Sequence, residues 1–363
     1  MKKICIVAGA RPNFVKVAPL IRAIENTEGA EYKLVYAGRE DDPTLEASLF
    51  DDLQMPRPDE YLGVDSTSLN EITSRVMATF DAYLDRVPTD VVIVVDDLAS
   101  TMAAAIVTKK RGLRLAHLVA GTRSFNMQMP KEVNRLVIDA LSDCLFTAGV
   151  KSTSVATREQ AEGADTYMVG NILMDTLRFN HQRLTPPTSL QLAPSTYLVF
   201  TVNRKALLAD EDHLRELLEA LVSAAGDTPI IAPLRGQACE VVTRLMASSP
   251  SFAHSSHFIL HASLPYLEFG WLTAHAKGII TDSGNVAEEA TFNGVPCITL
   301  NSYTEHQETV SVGSNVLVGE DPGRLSEDVK RMVAGEWKKS ALPFRWDGRT
   351  AERIVKILME ISD

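Results

Sequence analysis

Two consecutive α/β domains, each a parallel sheet wound by helices on both faces, are what this 363-residue sequence predicts. Three observations carry that expectation. Short runs dense in Val, Ile and Leu recur without polar alternation, as parallel strands covered on both faces require. Amphipathic stretches separate the runs, and strand–helix alternation this regular means parallel sheets. The runs form two series with an aperiodic, proline-bearing segment between them, and 363 residues suit two domains at ~150 residues each.

In the first series, strands are expected at Ile4–Val7, Leu34–Tyr36, Val91–Val95, Leu115–Val119, Cys144–Thr147 and Tyr167–Val169. In the second they are expected at Tyr197–Thr201, Pro229–Ala232, Phe258–Leu260, Gly278–Thr281 and Pro296–Leu300. Helices fill the intervals. In Glu132–Leu141 the apolar residues at 133, 136, 137, 140 and 141 lie at helical spacing. Thr185–Thr196 (TPPTSLQLAPST) has three prolines and no period, which makes it the expected linker. A second break at Leu342–Arg349 precedes a last amphipathic helix around Thr350–Ile361. The expected domains are therefore 1–184 and 197–346, joined by 185–196. Open sheets of this kind take ligands at the carboxyl ends of their strands, so both domains are expected to aim those loops into a cleft between them.

Composition narrows the class of function. Hydrophobic residues make up 45% and charged residues 23%, which argues against a largely disordered chain. No stretch approaches the ~18 apolar residues of a membrane helix. The opening MKKICIVAGARPNFVKV reads as a first strand rather than a signal peptide, so the expected location is the cytoplasm, with no membrane partner. Lys plus Arg number 36 against 47 Asp plus Glu, a net charge of −11. That balance disfavours nucleic acid and leaves room for a small anion in a local basic pocket. Cys5, Cys144, Cys239 and Cys297 are far apart and form no CxxC pair, so they read as buried thiols with no disulfide framework or zinc site. The eight histidines show no ligand spacing such as HExxH, and no metal is expected. Each is assigned to packing or surface except His306, which lies in the loop after the strand ending at Leu300.

Polar residues gather where strands end. After the first strand, Gly9 permits a tight turn, and Arg11 and Lys16 then sit near a helix N-terminus, where backbone N–H groups favour anions. This is either a phosphate or carboxylate site or a solvated helix start with two surface cations. Asp96 and Asp97 close the run Val91–Val95, as a helix cap or as site residues. The stretch LAHLVAGTRSFNMQMPKEVNR runs from a strand into a polar loop with Arg123, Ser124 and Asn126; a helix then starts at Pro130. Lys131, Glu132, Asn134 and Arg135 crowd its first turns. An arginine there opposes the helix dipole and points to a ligand or a buried carboxylate. Asn171 after another strand is a natural N-cap, and Asn203 with Arg204 ends the first strand of the second series. The mirror segment ITDSGNVAEEA places Ser283, Gly284 and Asn285 where free N–H groups meet a phosphate, with Ser283 or Asp282 as cap. Glu288 and Glu289 follow a turn later, where a carboxylate suits a ribose diol.

Taken in order, GARPNFVKVAPLIRAI, AHLVAGTRSFNMQMPKEVNR, VGNILMD, FTVNR, LPYLEFGWL, TDSGNVAEEA and YTEHQETVSVGSNVLVG resemble the non-hydrolysing UDP-N-acetylglucosamine 2-epimerases over roughly residues 1–360. The resemblance implies the GT-B architecture, with two Rossmann-like domains and a C-terminal helix, here 347–363, that crosses back to the first. It implies an isomerase that inverts C2 of a UDP-HexNAc: a base removes the C2 proton while UDP leaves, and UDP adds back as C2 is reprotonated on the other face. No cofactor is implied, and a homodimer is. Carried over by position, Arg11 and Lys16 match the family's cations, and Asp97 matches the Asp of its Gly-Asp-Thr. Arg123, Glu132, Asn134 and Arg135 also match. Phe269 falls on an aromatic beside the uracil, and Ser283, Gly284 and Glu289 fall on the diphosphate and ribose site.

The departures change the chemistry. The carboxylate of the family's HxEAGxRS is Val119, and the first Glu of its Pro-Glu-Glu-x-Asn-Arg is Lys131. The His of its Thr-x-His-Arg is Asn203, the second Gly of Asp-Ser-Gly-Gly is Asn285, and the Arg of Thr-Glu-Arg-Pro is His306. Arg235-Gly236-Gln237 replaces the usual His-Pro-Arg. Valine cannot move a proton, and each acid–base group is worth ~10²–10⁴ in rate. The expectation is a nucleotide-sugar enzyme with non-standard or impaired C2 chemistry. Asp97 and Glu132 remain as carboxylates, and Lys131 becomes a replacement base if burial and Arg135 depress its pKa. The alternatives are a GT-B glycosyltransferase or lyase on another nucleotide sugar, and a non-catalytic UDP-sugar binder.

Overall fold

The computed structural model describes residues 1–249 and 257–361. His254 lies outside the described residues. The chain divides into two compact units: Met1–Phe179 with Phe344–Asp363, and Asn180–Pro343. Among the described residues no helix is long and apolar enough to cross a membrane.

The first unit holds seven strands: β1 (Lys2–Ala8), β2 (Ala30–Tyr36), β3 (Glu60–Tyr61), β4 (Val91–Val95), β5 (Arg114–Leu118), β6 (Cys144–Thr147) and β7 (Asp165–Met168). All pair in parallel in the order β3-β2-β1-β4-β5-β6-β7. The second unit holds β8 (Leu198–Thr201), β9 (Ile230–Leu234), β10 (Phe258–Ala262), β11 (Gly278–Thr281), β12 (Cys297–Thr299) and β13 (Asn315–Leu317) in the order β10-β9-β8-β11-β12-β13. Both are doubly wound sheets, as the alternation of apolar runs predicts. β3 and β13 escape the sequence because a two- or three-residue edge strand carries no apolar run of its own. In each sheet the strand order reverses beside the first strand: between β1 and β4, and between β8 and β11. Crevices open at such reversals, so the candidate residues after β1, β4, β8 and β11 all fall at switch points.

The central strands are apolar because both faces are covered. Ile6, Val7 and Val92–Val95 are fully buried, as are Val199, Ile231, Ile279 and Ile280. Two details go beyond what the sequence says. Residues 185–196 form no free spacer: Leu190 and Leu192 pack on the core of the second unit, and the Ser195 N–H donates to the His275 carbonyl. The helix Pro130–Leu141 does not bury its apolar stripe. Its buried residues are Glu132, Asn134, Arg135, Ile138 and Asp139, while Val133 is 40% exposed. The polar side turns inward because complementary charges wait there.

The last helix, Thr350–Glu360, belongs to the first unit. Asp175 caps it, accepting from the N–H groups of Thr350 (3.1 Å) and Ala351 (2.8 Å). Lys2 Nζ donates to the carbonyl of Leu358 at 3.0 Å, which ties the first strand to the last helix. Trp346 is buried, and its Nε1–H donates to the Ala148 carbonyl at 3.0 Å.

Candidate functional site

In the first unit, the turn after β1 is held by Asn13, whose Oδ1 accepts from the N–H groups of Gly9 (2.8 Å) and Ala10 (3.0 Å). Gly9 sits in a crowded turn: a Cβ there would lie 2.1 Å from Ser100 Oγ and 2.8 Å from Leu98 Cδ1, so both side chains would have to move. This turn starts the helix Arg11–Glu25, which brings Lys16 inward. Lys16 does not stand as a free cation for an anion, since its Nζ donates to Asp96 Oδ1 at 2.6 Å. Asn13 Nδ2 donates to the other oxygen of Asp96 at 2.7 Å. Arg11 lies 3.9 Å from Glu46, with its side chain 24% exposed. Neither Asp96 nor Asp97 caps the helix Ala99–Lys110: its N-cap is Leu98, whose N–H donates to Thr101 Oγ1 at 3.0 Å.

Asp97 meets the helix Pro130–Leu141. Arg135 donates to Asp97 Oδ2 through Nε at 2.7 Å and lies 2.5 Å away through NH2; Lys131 Nζ stands 3.3 Å from Oδ1. Asn134 Nδ2 donates to the Asp97 carbonyl at 2.8 Å. Burial pushes the Asp97 carboxyl up, but Arg135 and Lys131 outweigh it and hold it below the ordinary value. The sequence's dipole-opposing arginine is thus explained by a buried carboxylate.

Three expected roles change on inspection. Lys131 is not buried as expected; its side chain is 56% exposed and pairs with Asp97. Glu132 is no free proton carrier: it is buried, and its carboxylate accepts from the N–H and Oγ of Ser124 (both 2.8 Å) and the N–H of Phe125 (3.0 Å), and pairs with Arg135 at 3.2 Å. Burial raises its pKa, and these donors overcome that and lower it. Arg123 is 2% exposed and committed to Asp139 (2.7 Å) and Glu159 (3.0 Å), which makes it a loop anchor rather than an open ligand contact. Asp139 also accepts at 2.5 Å from His117 and at 3.0 Å from the N–H of Gly121. Sequence reading missed Asp139, because it follows from the helix turning its polar face inward. Three non-glycine residues in the left-handed region border this site: Asp96 (φ 60°), Val119 (φ 74°) and Phe125 (φ 58°). Backbone strain of this kind concentrates at functional sites. An open cavity of about 440 Å³ lies at the ends of β1, β2 and β4, walled by Gly9, Tyr36, Arg39, Asp65 and Ser100.

In the second unit, Ser283 caps the helix Gly284–Asn293, accepting from the Val286 N–H at 3.5 Å. Asp282 turns instead to the end of β8, accepting from the N–H groups of Asn203 (2.7 Å) and Arg204 (2.6 Å). That carboxylate brings the Asn203 backbone against the loop after β11 and leaves the Asn203 side chain exposed. Gly284 is exposed and nothing crowds its Cα. Asn285 is half-buried in the first turn of the helix. Glu288 and Glu289 are buried on the same helix. His306 is buried and stands 3.3 Å from Glu288. Burial, with Glu288 beside it, pushes the Glu289 carboxyl up to about 8. Phe269, on the helix Tyr266–Ala274, is half-buried against the core beneath β11. Among the described residues no cluster of His, Cys, Asp or Glu is arranged to hold a metal ion.

A family model described as UDP-N-acetylglucosamine 2-epimerase matches residues 22–359. The chain is 30% identical over 366 residues to the UDP-N-acetylglucosamine 2-epimerase of Methanocaldococcus jannaschii, covering 98% of each. It is 29% identical over 362 residues to the UDP-2,3-diacetamido-2,3-dideoxy-D-glucuronate 2-epimerase of Pseudomonas aeruginosa, covering 99% of this chain and all of the relative. Among solved structures, that of the M. jannaschii UDP-GlcNAc 2-epimerase in complex with UDP-GlcNAc and UDP is similar at a TM-score of 0.85 and 29% identity, covering 98% of this chain and 99% of that one. The UDP-GlcNAc 2-epimerase of Neisseria meningitidis, 22% identical with a TM-score of 0.87 over 99% of this chain and 100% of that one, shares the same two-sheet GT-B fold.

Proposed function

The chain belongs to the UDP-N-acetylglucosamine 2-epimerase family, and from that premise we propose that it binds a UDP-N-acetylhexosamine and acts at C2 with a reduced acid–base set. The observation that supports this most is Asp97. It is the carboxylate the family motif keeps, it is held ionised by Arg135 and Lys131, and its side chain is still 11% open. An ionised carboxylate of that kind can take a proton from C2 while the C1–O bond to UDP breaks. On the nucleotide side, the N–H groups of Gly284 and Asn285 at the helix start suit a diphosphate, while the Ser283 N–H already donates to Thr281 Oγ1 at 3.0 Å. Glu289, raised to about 8 and meeting no donor among the described residues, suits the two hydroxyls of a ribose, which would draw it into its ionised form. His306 beside Glu288 and Phe269 near the same helix complete the proposed nucleotide contacts.

Val119 and Lys131 remove two carboxylates from the expected set, and Asn203 removes an imidazole. At ~10²–10⁴ per group, turnover falls well below that of a fully equipped relative. The test is incubation with UDP-GlcNAc in deuterated water. Deuterium at C2 and appearance of the C2 epimer are expected, and their absence at millimolar substrate overturns the reading. Thermal stabilisation by UDP-GlcNAc without exchange would instead support a UDP-sugar binder that does not turn over, which the internal commitment of Glu132 and Arg123 also favours. The exposed Val133 with the partly exposed Leu136 and Val137 supports a homodimer, to be read as twice the chain mass by light scattering.

A further inference from the structure

Asp96 is an acidic side chain for which the reading so far has no use. It falls on the glycine of the family's Gly-Asp-Thr, one residue before Asp97. Its backbone sits at φ 60°, a left-handed conformation that glycine adopts freely and aspartate at a small cost. The carboxylate is ordered from two sides, by Lys16 at 2.6 Å and Asn13 at 2.7 Å, and it remains 18% open. The other polar groups around Asp97 are more enclosed or of the wrong kind. Glu132 is buried under four donors, His117 is enclosed by Asp139 and the Asp96 carbonyl, and Lys131 is an exposed cation. Asp96 and Asp97 also diverge: one turns to the helix Arg11–Glu25, the other to the helix Pro130–Leu141. Inversion at a carbon needs a proton acceptor on one side and a donor on the other, and two adjacent carboxyls that part in this way supply both.

We propose that Asp96 is the second acid–base carboxylate of this site, working with Asp97 in place of the one lost at Val119. The proposal rests on the C2 reading given above. One carboxylate takes the C2 proton, the C–H electron pair forms the C1–C2 double bond, and UDP leaves with the C1–O pair. The other, as carboxylic acid, gives its proton to the opposite face of C2 from the double bond while a UDP oxygen rebonds to C1. Water then returns the proton from the first carboxyl to the second. The two residues exchange roles with the direction of reaction. Val119 lies across from Asp96, since the Asp96 N–H donates to the Leu118 carbonyl at 3.2 Å.

The experiment measures deuterium incorporation at C2 of UDP-GlcNAc and UDP affinity by calorimetry, on the full chain, for wild type, Asp96→Asn, Asp96→Gly and Asp96→Gly/Val119→Glu. Glycine suits φ 60°, so the fold is kept. Exchange is expected to fall by ~10² or more in both single variants with UDP affinity unchanged, and to recover in the double variant. Unchanged exchange in the single variants overturns the role of Asp96 and leaves the C2 reading standing. Loss without recovery by Val119→Glu makes Asp96 only a positioning residue for Lys16, and overturns the proposal. Should the double variant not fold, Asp96→Asn decides, because the amide keeps the shape and an acceptor for Lys16 while losing the proton. A wild type that exchanges no deuterium takes down the C2 reading itself, and this proposal with it.

Discussion

At the level of single residues, the first-unit site is an arrangement of charges that satisfy one another. Arg123 is the clearest case. A buried guanidinium shared by Asp139 and Glu159 serves the loop, and removing one member of such a group strands the rest in low dielectric. Arg123→Ala is expected to cost about 3–5 kcal/mol in denaturant unfolding while the folded fraction keeps its UDP affinity in calorimetry. Glu289 gives the opposite pattern. Its folded value of about 8 stands above an unfolded 4.5, so its contribution to stability is complete below 4.5 and lost as pH rises through 8. The variant Glu289→Gln carries no proton to lose. Its melting temperature relative to wild type should climb between pH 5 and pH 8 and then level, and its UDP affinity should fall. A melting difference that stays flat across that range would contradict the assignment. The sequence exposed Glu289 as a carboxylate one turn past an N-cap; its burial beside Glu288 could only come from the folded chain.

At the level of elements, helix caps and faces decide what is legible. Asp175 caps the helix Thr350–Glu360 across a long sequence separation, and burial, opposed by those two N–H bonds, still raises it to about 6. Asp175→Ala should cost about 1 kcal/mol and speed amide hydrogen exchange in that helix. Asp175→Asn keeps an acceptor, and because the wild-type contribution fades as pH rises from 3.8 through 6, the asparagine form should match or exceed wild type at pH 7. Strands in the middle of a sheet were readable because both faces need apolar side chains, and Val91–Val95 and Gly278–Thr281 fall where the apolar runs end. The helix Pro130–Leu141 forms where the spacing places it, but spacing does not say which face turns inward. Periodicity reports which face is apolar, and here Asp97, Arg123 and His117 made the charged face the better-partnered one.

For the molecule as a whole, two parallel sheets were predictable from alternation alone, and the family from collinear motifs, whereas the strand order comes only from the folded chain. The division of the chain was less so. The aperiodic stretch 185–196 looks like a joint because proline and polarity mark it, yet Leu190 and Leu192 bury against the second unit. Burial on a neighbour is a tertiary fact that local composition does not encode. Cleavage by a protease at low dose should therefore spare 185–196 relative to other proline-bearing loops.

The first unit closes on itself through its two ends, with Lys2 bonded to the carbonyl of Leu358 and Asp175 capping residues 350 and 351. A ribosome delivers those ends hundreds of residues apart. The half that is translated first is therefore finished last, waiting on a partly covered core while the later half, continuous in sequence, completes its own. A premature stop near codon 343 should leave a product with one sharp melting transition, that of Asn180–Pro343, beside a loosened remainder that chaperones would recognise.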